Sequence, residues 1–217
     1  MKTFKSLLPL LAAFFLISCN LDNKVELFNG ENLDNWFIFV SDSSIDPSAY
    51  FTVEEGVIRT DGIPNGYIRT KDVYSNYKLH VEWRWPEEPT NSGVLLHVQG
   101  EDKCWPHCVE CQLASGKAGD IILMGPGAGI TVKDSAWIIS PTESWYKRIP
   151  KFEGSSEKPA GEWNSYDITS QDGKLEVIVN GILQNRGKLM TLREGHILLQ
   201  GEGSPVEFRN IWLEPLE

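Results

Sequence analysis

The stretch KLEVIVNGILQ, residues Lys174 to Gln184, decides the fold class. Leu175, Val177 and Val179 recur at every second position, which is the period of a β-strand with one buried face. The dipeptide Asn180-Gly181 follows, and this pair is preferred in the two-residue turns that join antiparallel strands. A second apolar run begins directly after the turn. The stretch therefore predicts a β-hairpin.

The remainder of the 217-residue chain repeats this pattern of short apolar runs between Gly- and Pro-rich turns. Helical periodicity is nearly absent after the first 18 residues, and there is no internal repeat. The length suits one sizeable domain. The sequence thus predicts an all-β, antiparallel sandwich. The predicted strands are 51–53, 57–60, 78–85, 93–98, 108–113, 121–124, 163–169, 174–179, 182–184, 197–200 and 206–213.

The longest segment without a predicted strand is 125–161. It contains Trp137, Trp145 and Tyr146, together with several charged residues. Irregular segments of this length in compact domains are usually functional or disordered, and aromatic content argues against disorder. We therefore expect a loop that covers one mouth of a binding groove.

The amino terminus has the pattern of a lipoprotein signal peptide. Lys2 and Lys5 precede an apolar run that is too short to span a bilayer, and the run ends at a small residue before Cys19. We predict a signal peptide over 1–18, lipidation of Cys19, a tether over 19–24 and a single domain over 25–217. The protein would be exported and held to a bacterial membrane, on a periplasmic or outer-membrane face, through the lipid anchor only.

The charge of the chain restricts its partners. Loss of Lys2 and Lys5 with the signal peptide takes the formal net charge from −10 to −12. An acidic domain without a basic patch is unsuited to nucleic acid. Neutral sugars remain compatible, because hydrogen bonds and aromatic stacking recognise them. An oligosaccharide or glycoside substrate is therefore compatible with the charge of the domain.

Three cysteines remain after Cys19, and their pairing is open. A Cys104–Cys108 disulfide is feasible in an oxidising compartment, which would leave Cys111 as a buried free thiol. The alternative is a zinc site that uses His107 with the three cysteines. Its C-x₃-C-x₂-C spacing is not a familiar zinc arrangement, and Cys108 and Cys111 would face opposite sides of a strand.

A polar face is predicted where three strands are laid side by side. In WPHCVECQ (Trp105 to Gln112), Glu110 and Gln112 alternate with apolar residues. The same alternation places Glu82 and Arg84 on one face of their strand and His97 on one face of the next. If the three strands are neighbours, these five side chains form one surface that could bind a hydroxyl-rich ligand. The competing interpretations are a surface Glu82–Arg84 ion pair and a structural His97.

Further contacts to a sugar are predicted from aromatic and loop residues. Trp105 lies beside a proline at a strand entrance and suits stacking on a sugar ring. The weaker candidates for substrate contact rest on loop or motif placement and are Asn91, Lys133, Trp137, Arg148 and Gln200.

Six motifs follow one another along the chain. They are LFNGENLDNW (Leu27 to Trp36), NSGVLLH (Asn91 to His97), WPHCVECQL (Trp105 to Leu113), KPAGEWN (Lys158 to Asn164), NG (Asn180-Gly181) and VEFRNI (Val206 to Ile211). In this order they resemble the 3-keto-disaccharide hydrolase family. The resemblance covers essentially the whole chain after residue 24 and implies a concanavalin A-like (lectin/glucanase-type) jelly-roll sandwich. It also implies that the concave sheet carries the site, with the strand that holds Glu110 on that surface.

The resemblance implies cleavage of 3-keto-disaccharides or 3-keto-glycosides. A 3-ketone acidifies the C2 proton, so that a general base can remove it and the C1 substituent can leave by elimination. Hydration of the resulting glycal completes a net hydrolysis, whereas stopping earlier gives a lyase. The base is predicted to be His97 or Glu110, with His97 preferred and Glu110 as its orienter or as leaving-group acid. Gln112 and Arg84 would hold the keto sugar or its enolate.

No cofactor is required by any spacing in the sequence. A divalent metal that polarises the ketone could be held by Glu110 and His97, which are competent ligands. The alternatives to a keto-glycoside enzyme are a carbohydrate-binding lectin, a structural surface lipoprotein and a retaining endoglycanase. The endoglycanase is disfavoured because Gln112 and Ser115 stand where an E-x-D-x-x-E strand would carry two further carboxylates.

Overall fold

The computed structural model describes residues 23–217, which form a nearly all-β domain with one short helix. The signal peptide and the lipidation at Cys19 lie outside the described residues. Within the described range, no helix is long and apolar enough to cross a membrane. The elements in chain order are β1 (Val25–Glu26), β2 (Trp36–Val40), α1 (Pro47–Tyr50), β3 (Phe51–Glu54), β4 (Val57–Thr60), β5 (Gly66–Thr70), β6 (Tyr77–Arg84), β7 (Gly93–Gln99), β8 (His107–Gln112), β9 (Ile121–Met124), β10 (Gly129–Val132), β11 (Ser135–Ile138), β12 (Tyr146–Ile149), β13 (Asn164–Gln171), β14 (Lys174–Val179), β15 (Ile182–Gly187), β16 (His196–Gly201) and β17 (Val206–Pro215).

The strands form two antiparallel sheets, and the predicted sandwich is confirmed. One sheet has the order β15-β14-β13-β6-β17-β4-β3, with β1 added to β17, and the other has the order β12-β9-β8-β7-β16-β5-β2. The Asn180-Gly181 turn joins β14 and β15 as predicted, with Val179 paired to Ile182. The hairpin of β10 and β11 forms a separate two-stranded sheet.

The main hydrophobic core fills the space between the two sheets. Alternation along β6 illustrates its origin, since Leu79, Val81 and Trp83 are buried while the residues between them are partly exposed. Val94 and Leu96 of β7 enter the same core from the opposite sheet. Burial of apolar surface stabilises a fold by roughly 25 cal/mol per Å². The packing of the two sheets against this core is therefore the main stabilisation of the sandwich.

The segment 125–161 is more regular than predicted. It contains the hairpin β10–β11 and the edge strand β12, which pairs with β9. The strands β2 and β5 were also absent from the prediction. Each of these strands has only four or five residues, and their apolar residues do not follow one clean alternation. Cross-strand pairing rather than local pattern therefore specifies them.

A β-bulge in β7 reverses the direction in which the side chains of its last residues point, so that they lie on the opposite faces of the sheet from those that alternation predicts. The register to β8 shifts between Leu96 and Gln99, and His97 adopts a φ of +52°. The backbone of β7 is closely approached there by Gly195, where a Cβ would lie 2.4 Å from the His97 carbonyl carbon. As a result His97 turns into the space between the sheets, whereas Val98 faces the opposite side.

The three described cysteines are free thiols in this structure. Cys111 is buried in the core between the sheets, in agreement with its predicted inward face. Cys108 is buried on the other face of the same sheet, within a smaller apolar cluster. The predicted Cys104–Cys108 disulfide is not formed.

Candidate active site

A cleft of about 670 Å³ lies on the face of the seven-stranded sheet that points away from the core. Cross-strand pairing places Glu110 of β8 in its middle, because Glu110 is opposite Ile122 on β9 and Leu95 on β7. Ile122 is in turn opposite Arg148 on β12. Leu95, Glu110, Ile122 and Arg148 thus form one row across four strands. Main-chain hydrogen bonds of the sheet, and not a loop, fix this row at the centre of the cleft.

The two ends of the cleft differ in polarity. The end beyond Gln112 is reached by the segments that precede β7 and follow β16, and it is polar. The end beyond Cys108 is apolar, since Tyr146 of β12 pairs with Met124 of β9, which pairs with Cys108. The polar end is lined by Thr90, Asn91, Gln112, Lys117, Gln200 and Glu202, and the aromatic end by Trp105, Met124, Trp145 and Tyr146.

Glu110 has the environment of a functional carboxyl group. It is 5% exposed, and burial together with the negative charge of Glu202 raises its pKa to about 8. Within residues 23–217 it makes neither a hydrogen bond nor an ion pair that would offset its burial. A buried carboxyl group with a raised pKa in a cleft is typical of an acid–base catalyst.

Gly93 provides the space that the Glu110 carboxyl group occupies. A Cβ at residue 93 would lie 2.3 Å from Glu110 Oε1 and 3.0 Å from its carboxyl carbon. Gly93 pairs with Gln112 on the neighbouring strand, so that its missing side chain opens the sheet face beside Glu110. The position of the carboxyl group thus depends on this glycine.

Amide side chains surround Glu110 at the polar end. The Gln112 Oε1 atom accepts hydrogen bonds from the backbone N–H groups of Leu113 (2.8 Å) and Ala114 (2.7 Å), which fixes the side chain. Asn91 Oδ1 and Gln200 Oε1 are buried and lack a partner among the described residues. Buried acceptors require donors, and the hydroxyl groups of a sugar would supply them.

Arg148 forms the wall of the cleft on β12. Its Nε donates to the fully buried Asp120 (2.5 Å), and Asp120 also accepts from the backbone N–H of Lys151 (2.8 Å). This pairing holds the guanidinium group beside the row that contains Glu110. Arg148 can therefore offer its other N–H groups to a ligand without losing its orientation.

The structure brings together six of the predicted site residues and separates five others from them. The six that line the cleft are Glu110, Gln112, Asn91, Trp105, Arg148 and Gln200. Their roles in binding or catalysis stay predictions.

The predicted neighbourhood of Glu82 and Arg84 with Glu110 is wrong. Both belong to β6, which pairs with β13 and β17 in the other sheet. There Glu82 accepts from Arg209 at 2.6 Å, and Arg84 pairs with Glu207 while its guanidinium lies over the Trp163 ring. Alternation alone defines the two faces of a strand but not the sheet to which the strand belongs.

Lys133 and Trp137 also lie outside the cleft. Lys133 Nζ is 4.1 Å from the centre of the Phe152 ring, and the residue lines a different pocket beside β13 and β14. Trp137, on β11, packs against the core between the sheets. Among the cleft residues that the site prediction omitted are Glu202, Trp145 and Tyr146. The aromatic pair stood in the segment that was expected to cover a groove, whereas nothing in the local pattern marked Glu202.

His97 faces the core and not the cleft, so its predicted place beside Glu110 is wrong. It is fully buried, its Nε2 lies 2.8 Å from Ser170 Oγ of the opposite sheet, and its ring packs 5.7 Å from that of Tyr77. Burial lowers its pKa to about 4, so it is neutral at physiological pH. These contacts are those of a structural histidine.

We therefore expect His97→Gln to lower stability without lowering turnover. Loss of the bond to Ser170 and of ring packing should cost about 1–3 kcal/mol of unfolding free energy, measured by urea denaturation. For the cleavage of keto-glycosides that the sequence predicts, kcat should stay within about twofold of that of the unmodified protein. A loss of kcat in protein that remains folded would restore the histidine as the base.

Among residues 23–217, no group of three or more His, Cys, Asp and Glu side chains could hold a metal ion. The pair predicted as ligands, Glu110 and His97, is separated by the sheet, since one faces the cleft and the other the core. The zinc arrangement of three cysteines is likewise excluded by geometry, because Cys108 and Cys111 lie on opposite faces of β8.

Comparison with known proteins agrees with this architecture. The model of one protein family, described as the 3-keto-alpha-glucoside-1,2-lyase-like domain, matches residues 23–214 of the chain. No curated protein is significantly similar to the chain. A crystal structure from Parabacteroides distasonis ATCC 8503, provisionally named a glycosyl hydrolase, is 23% identical over 90% of this chain and 95% of its own, with a TM-score of 0.63. The Bacillus licheniformis β-glucanase is 12% identical over 88% of this chain and 96% of its own, with a TM-score of 0.55. Such likenesses show the fold, and the predicted concanavalin A-like sandwich is confirmed.

Proposed function

This chain belongs to the family of 3-keto-alpha-glucoside-1,2-lyase-like domains, and we propose that it cleaves the glycosidic bond of 3-keto-glycosides by elimination. Glu110 acts as the general base that removes the C2 proton. The observation that carries the proposal is the Glu110 carboxyl group in the middle of the cleft, which has a pKa of about 8 and no hydrogen-bond or ion-pair partner within residues 23–217. A carboxylate with so high a pKa is a stronger base than an ordinary surface carboxylate.

The reaction follows from the keto group of the substrate. The Glu110 carboxylate takes the proton from C2, and the electron pair of the C–H bond forms an enolate with the C3 carbonyl oxygen. That pair then moves to the C1–C2 bond and expels the C1 substituent, which takes up one proton and leaves as an alcohol. The remaining sugar is a 2-hydroxy-3-keto-glycal, and addition of water to it yields the 3-keto sugar.

The polar end of the cleft suits the keto sugar. Asn91 and Gln200 offer buried amide groups to its hydroxyls, and Gln112 is fixed with its Nε2 as a remaining donor. A donor of this kind can stabilise the negative charge that develops on the C3 oxygen. We assign Gln112 to that role and Asn91 and Gln200 to sugar binding.

A second candidate is a conventional glycosidase on unoxidised sugars. It is favoured by one observation, namely that Glu202 and Glu110 line the same cleft and that the Glu202 charge raises the Glu110 pKa. Two carboxyl groups in one cleft can serve as acid and nucleophile in glycoside hydrolysis. The two candidates differ in the role of Glu202, which is essential only in the conventional mechanism.

Glu202→Gln separates these mechanisms. Under elimination, kcat/KM for 3-keto-lactose should rise with pH as Glu110 loses its proton, up to a plateau above about pH 8. The substitution removes a negative neighbour and so lowers the Glu110 pKa, which moves the rise to lower pH while the plateau is kept. Desolvation, the larger cause, is unchanged, so the Glu110 pKa should remain above its usual range.

The measurement is the pH profile of kcat/KM with 3-keto-lactose and with lactose, for both proteins. Cleavage of lactose that is lost in Glu202→Gln would favour the conventional glycosidase. Binding of either sugar without cleavage would favour a lectin.

Export and lipid anchoring are part of the same proposal. The sequence of residues 1–19 supports them, and the family domain begins at residue 23, near the end of the predicted tether over 19–24. Mass analysis of the mature protein tests this assignment, which requires an amino-terminal Cys19 that carries lipid. A mature chain that retained residues 1–18, or lacked lipid on Cys19, would contradict it.

A further inference from the structure

The aromatic end of the cleft is unusually exposed for an apolar surface. Trp105, Trp145 and Tyr146 are 46%, 52% and 45% exposed. Their rings nevertheless form one cluster, with centroids 5.7 Å apart for the two indoles and 4.9 Å apart for Trp145 and Tyr146. Three large rings left open to solvent beside a reactive carboxyl group indicate a surface for a ligand.

These rings are held in place by the sheet and its loops. Tyr146 pairs with Met124 in the sheet, and the backbone oxygen of Trp145 accepts from Gly125 at 2.9 Å. The loop that carries Trp105 is fixed by Asp102, which receives two hydrogen bonds from Arg69 at 2.8 and 2.9 Å. A surface ordered in advance loses little conformational entropy when it binds a rigid ligand.

The shape and chemistry of this end fit a flat apolar group better than a second sugar. The indole planes meet at 50°, and the Trp145 and Tyr146 planes meet at 54°. They therefore form a corner rather than a single platform for stacking a pyranose. The floor is Met124, and Arg148, which lies in the next cross-strand row, is already paired with Asp120. A second sugar would lose water from its hydroxyls here with few partners in return.

We propose that the leaving group of the natural substrate is a planar aromatic alcohol, bound between Trp105, Trp145 and Tyr146 while the keto sugar occupies the polar end. The role of the aromatic alcohol as a leaving group rests on the proposed elimination. The preference of the cleft for binding an aromatic group does not depend on that mechanism. An aromatic alcohol also suits the chemistry, because a phenol ionises near pH 10, as tyrosine does, and so leaves with little help from an acid. Among the described residues, the cleft has two carboxyl groups. Glu110 lies at its centre and Glu202 lies at its polar end.

Binding to the inactive Glu110→Gln protein tests this assignment. Rates of cleavage would not, because an aryl group leaves faster than an alkyl group whether or not the cleft binds it better. Calorimetric titration compares phenyl glucoside with methyl glucoside, each as the α and β anomer and each with and without the 3-keto group. We expect the phenyl compounds to bind at least about tenfold more tightly. Trp145→Ala and Trp105→Ala should each remove most of that difference, whereas Trp163→Ala, directly before β13 of the other sheet, should leave it intact. Both cleft indoles are about half exposed, so their removal should not unfold the protein.

Equal affinity for phenyl and methyl compounds would overturn the assignment, as would a loss of affinity for both in the Trp145→Ala protein. Tighter binding of 3-keto-trehalose than of the phenyl keto-glucoside would overturn it in favour of a disaccharide. The unmodified protein could bind phenyl compounds more tightly and yet cleave no keto-glycoside. That result would support the aromatic site and refute the elimination.

Discussion

Replacing Glu110 with Gln is expected to lower kcat for a 3-keto-glycoside by about 10³-fold, with the affinity for substrate changed little. The amide has nearly the same shape as the protonated carboxyl group, which is the main form at neutral pH because the pKa is about 8. It cannot accept the C2 proton. Steady-state kinetics on 3-keto-lactose measures the loss, and Glu214→Gln on β17 of the other sheet is the matched control.

The same variant has a predicted effect on stability. Folding raises the Glu110 pKa from its ordinary value of 4.5 to about 8, so the protonated carboxyl favours the folded state and this advantage is lost as pH rises through that interval. Glu110→Gln should therefore exceed the unmodified protein in unfolding free energy above pH 8, by up to about 5 kcal/mol. Equal stability at all pH values would mean that the carboxyl group is better solvated than the cleft geometry implies.

Full activity of the Glu110→Gln variant would refute Glu110 as the base.

Gly93→Ala is the second change with a large expected effect. The added methyl group would lie 2.3 Å from Glu110 Oε1, and the carboxyl end of a side chain can move aside more easily than the backbone of the sheet. We therefore expect a folded protein with a displaced carboxyl group and a kcat reduced by about 10²-fold, since catalysis is sensitive to misplacement on the ångström scale. Circular dichroism and steady-state kinetics measure the two properties.

Two controls make the Gly93 result specific. Gly154→Ala introduces the same methyl group at a position where no atom lies within 4 Å of the new Cβ, and it should leave kcat unchanged. The double variant of Gly93→Ala with Glu110→Gln should be no slower than Glu110→Gln alone, because both changes act on one group. Normal kcat in the Gly93→Ala protein, or additive losses in the double variant, would show that the glycine does not position the base.

The fold could be predicted from the sequence because its signals are local. Alternation along β6 and β14 and the Asn180-Gly181 turn each act over a few residues, and the structure confirms them. The motifs around Glu110 indicated the family, which is also confirmed. Glu110 and Gln112 were predicted to share a polar face because they alternate with apolar residues on one strand, and both line the cleft.

The errors about the site concern relations between strands that are distant in sequence. Arg84 was placed with Glu110 because both lie on polar faces, but strand order assigns β6 to the other sheet. His97 was misplaced by one bulge, since a single extra residue exchanges the two faces of a strand. Glu202 was missed because it reaches the cleft through the pairing of its segment with Asn91, more than 100 residues earlier.

The measurement that tests the central claim most directly is the cleavage of a 3-keto-glycoside that carries deuterium at C2. If Glu110 removes this hydrogen in the elimination, the deuterated substrate should react more slowly with a primary isotope effect, and the deuterium should be lost to water. Nuclear magnetic resonance of the products would show a 2-hydroxy-3-keto-glycal or its hydrate without deuterium at C2. Cleavage at an equal rate, with deuterium retained at C2 of the released sugar, would contradict the elimination.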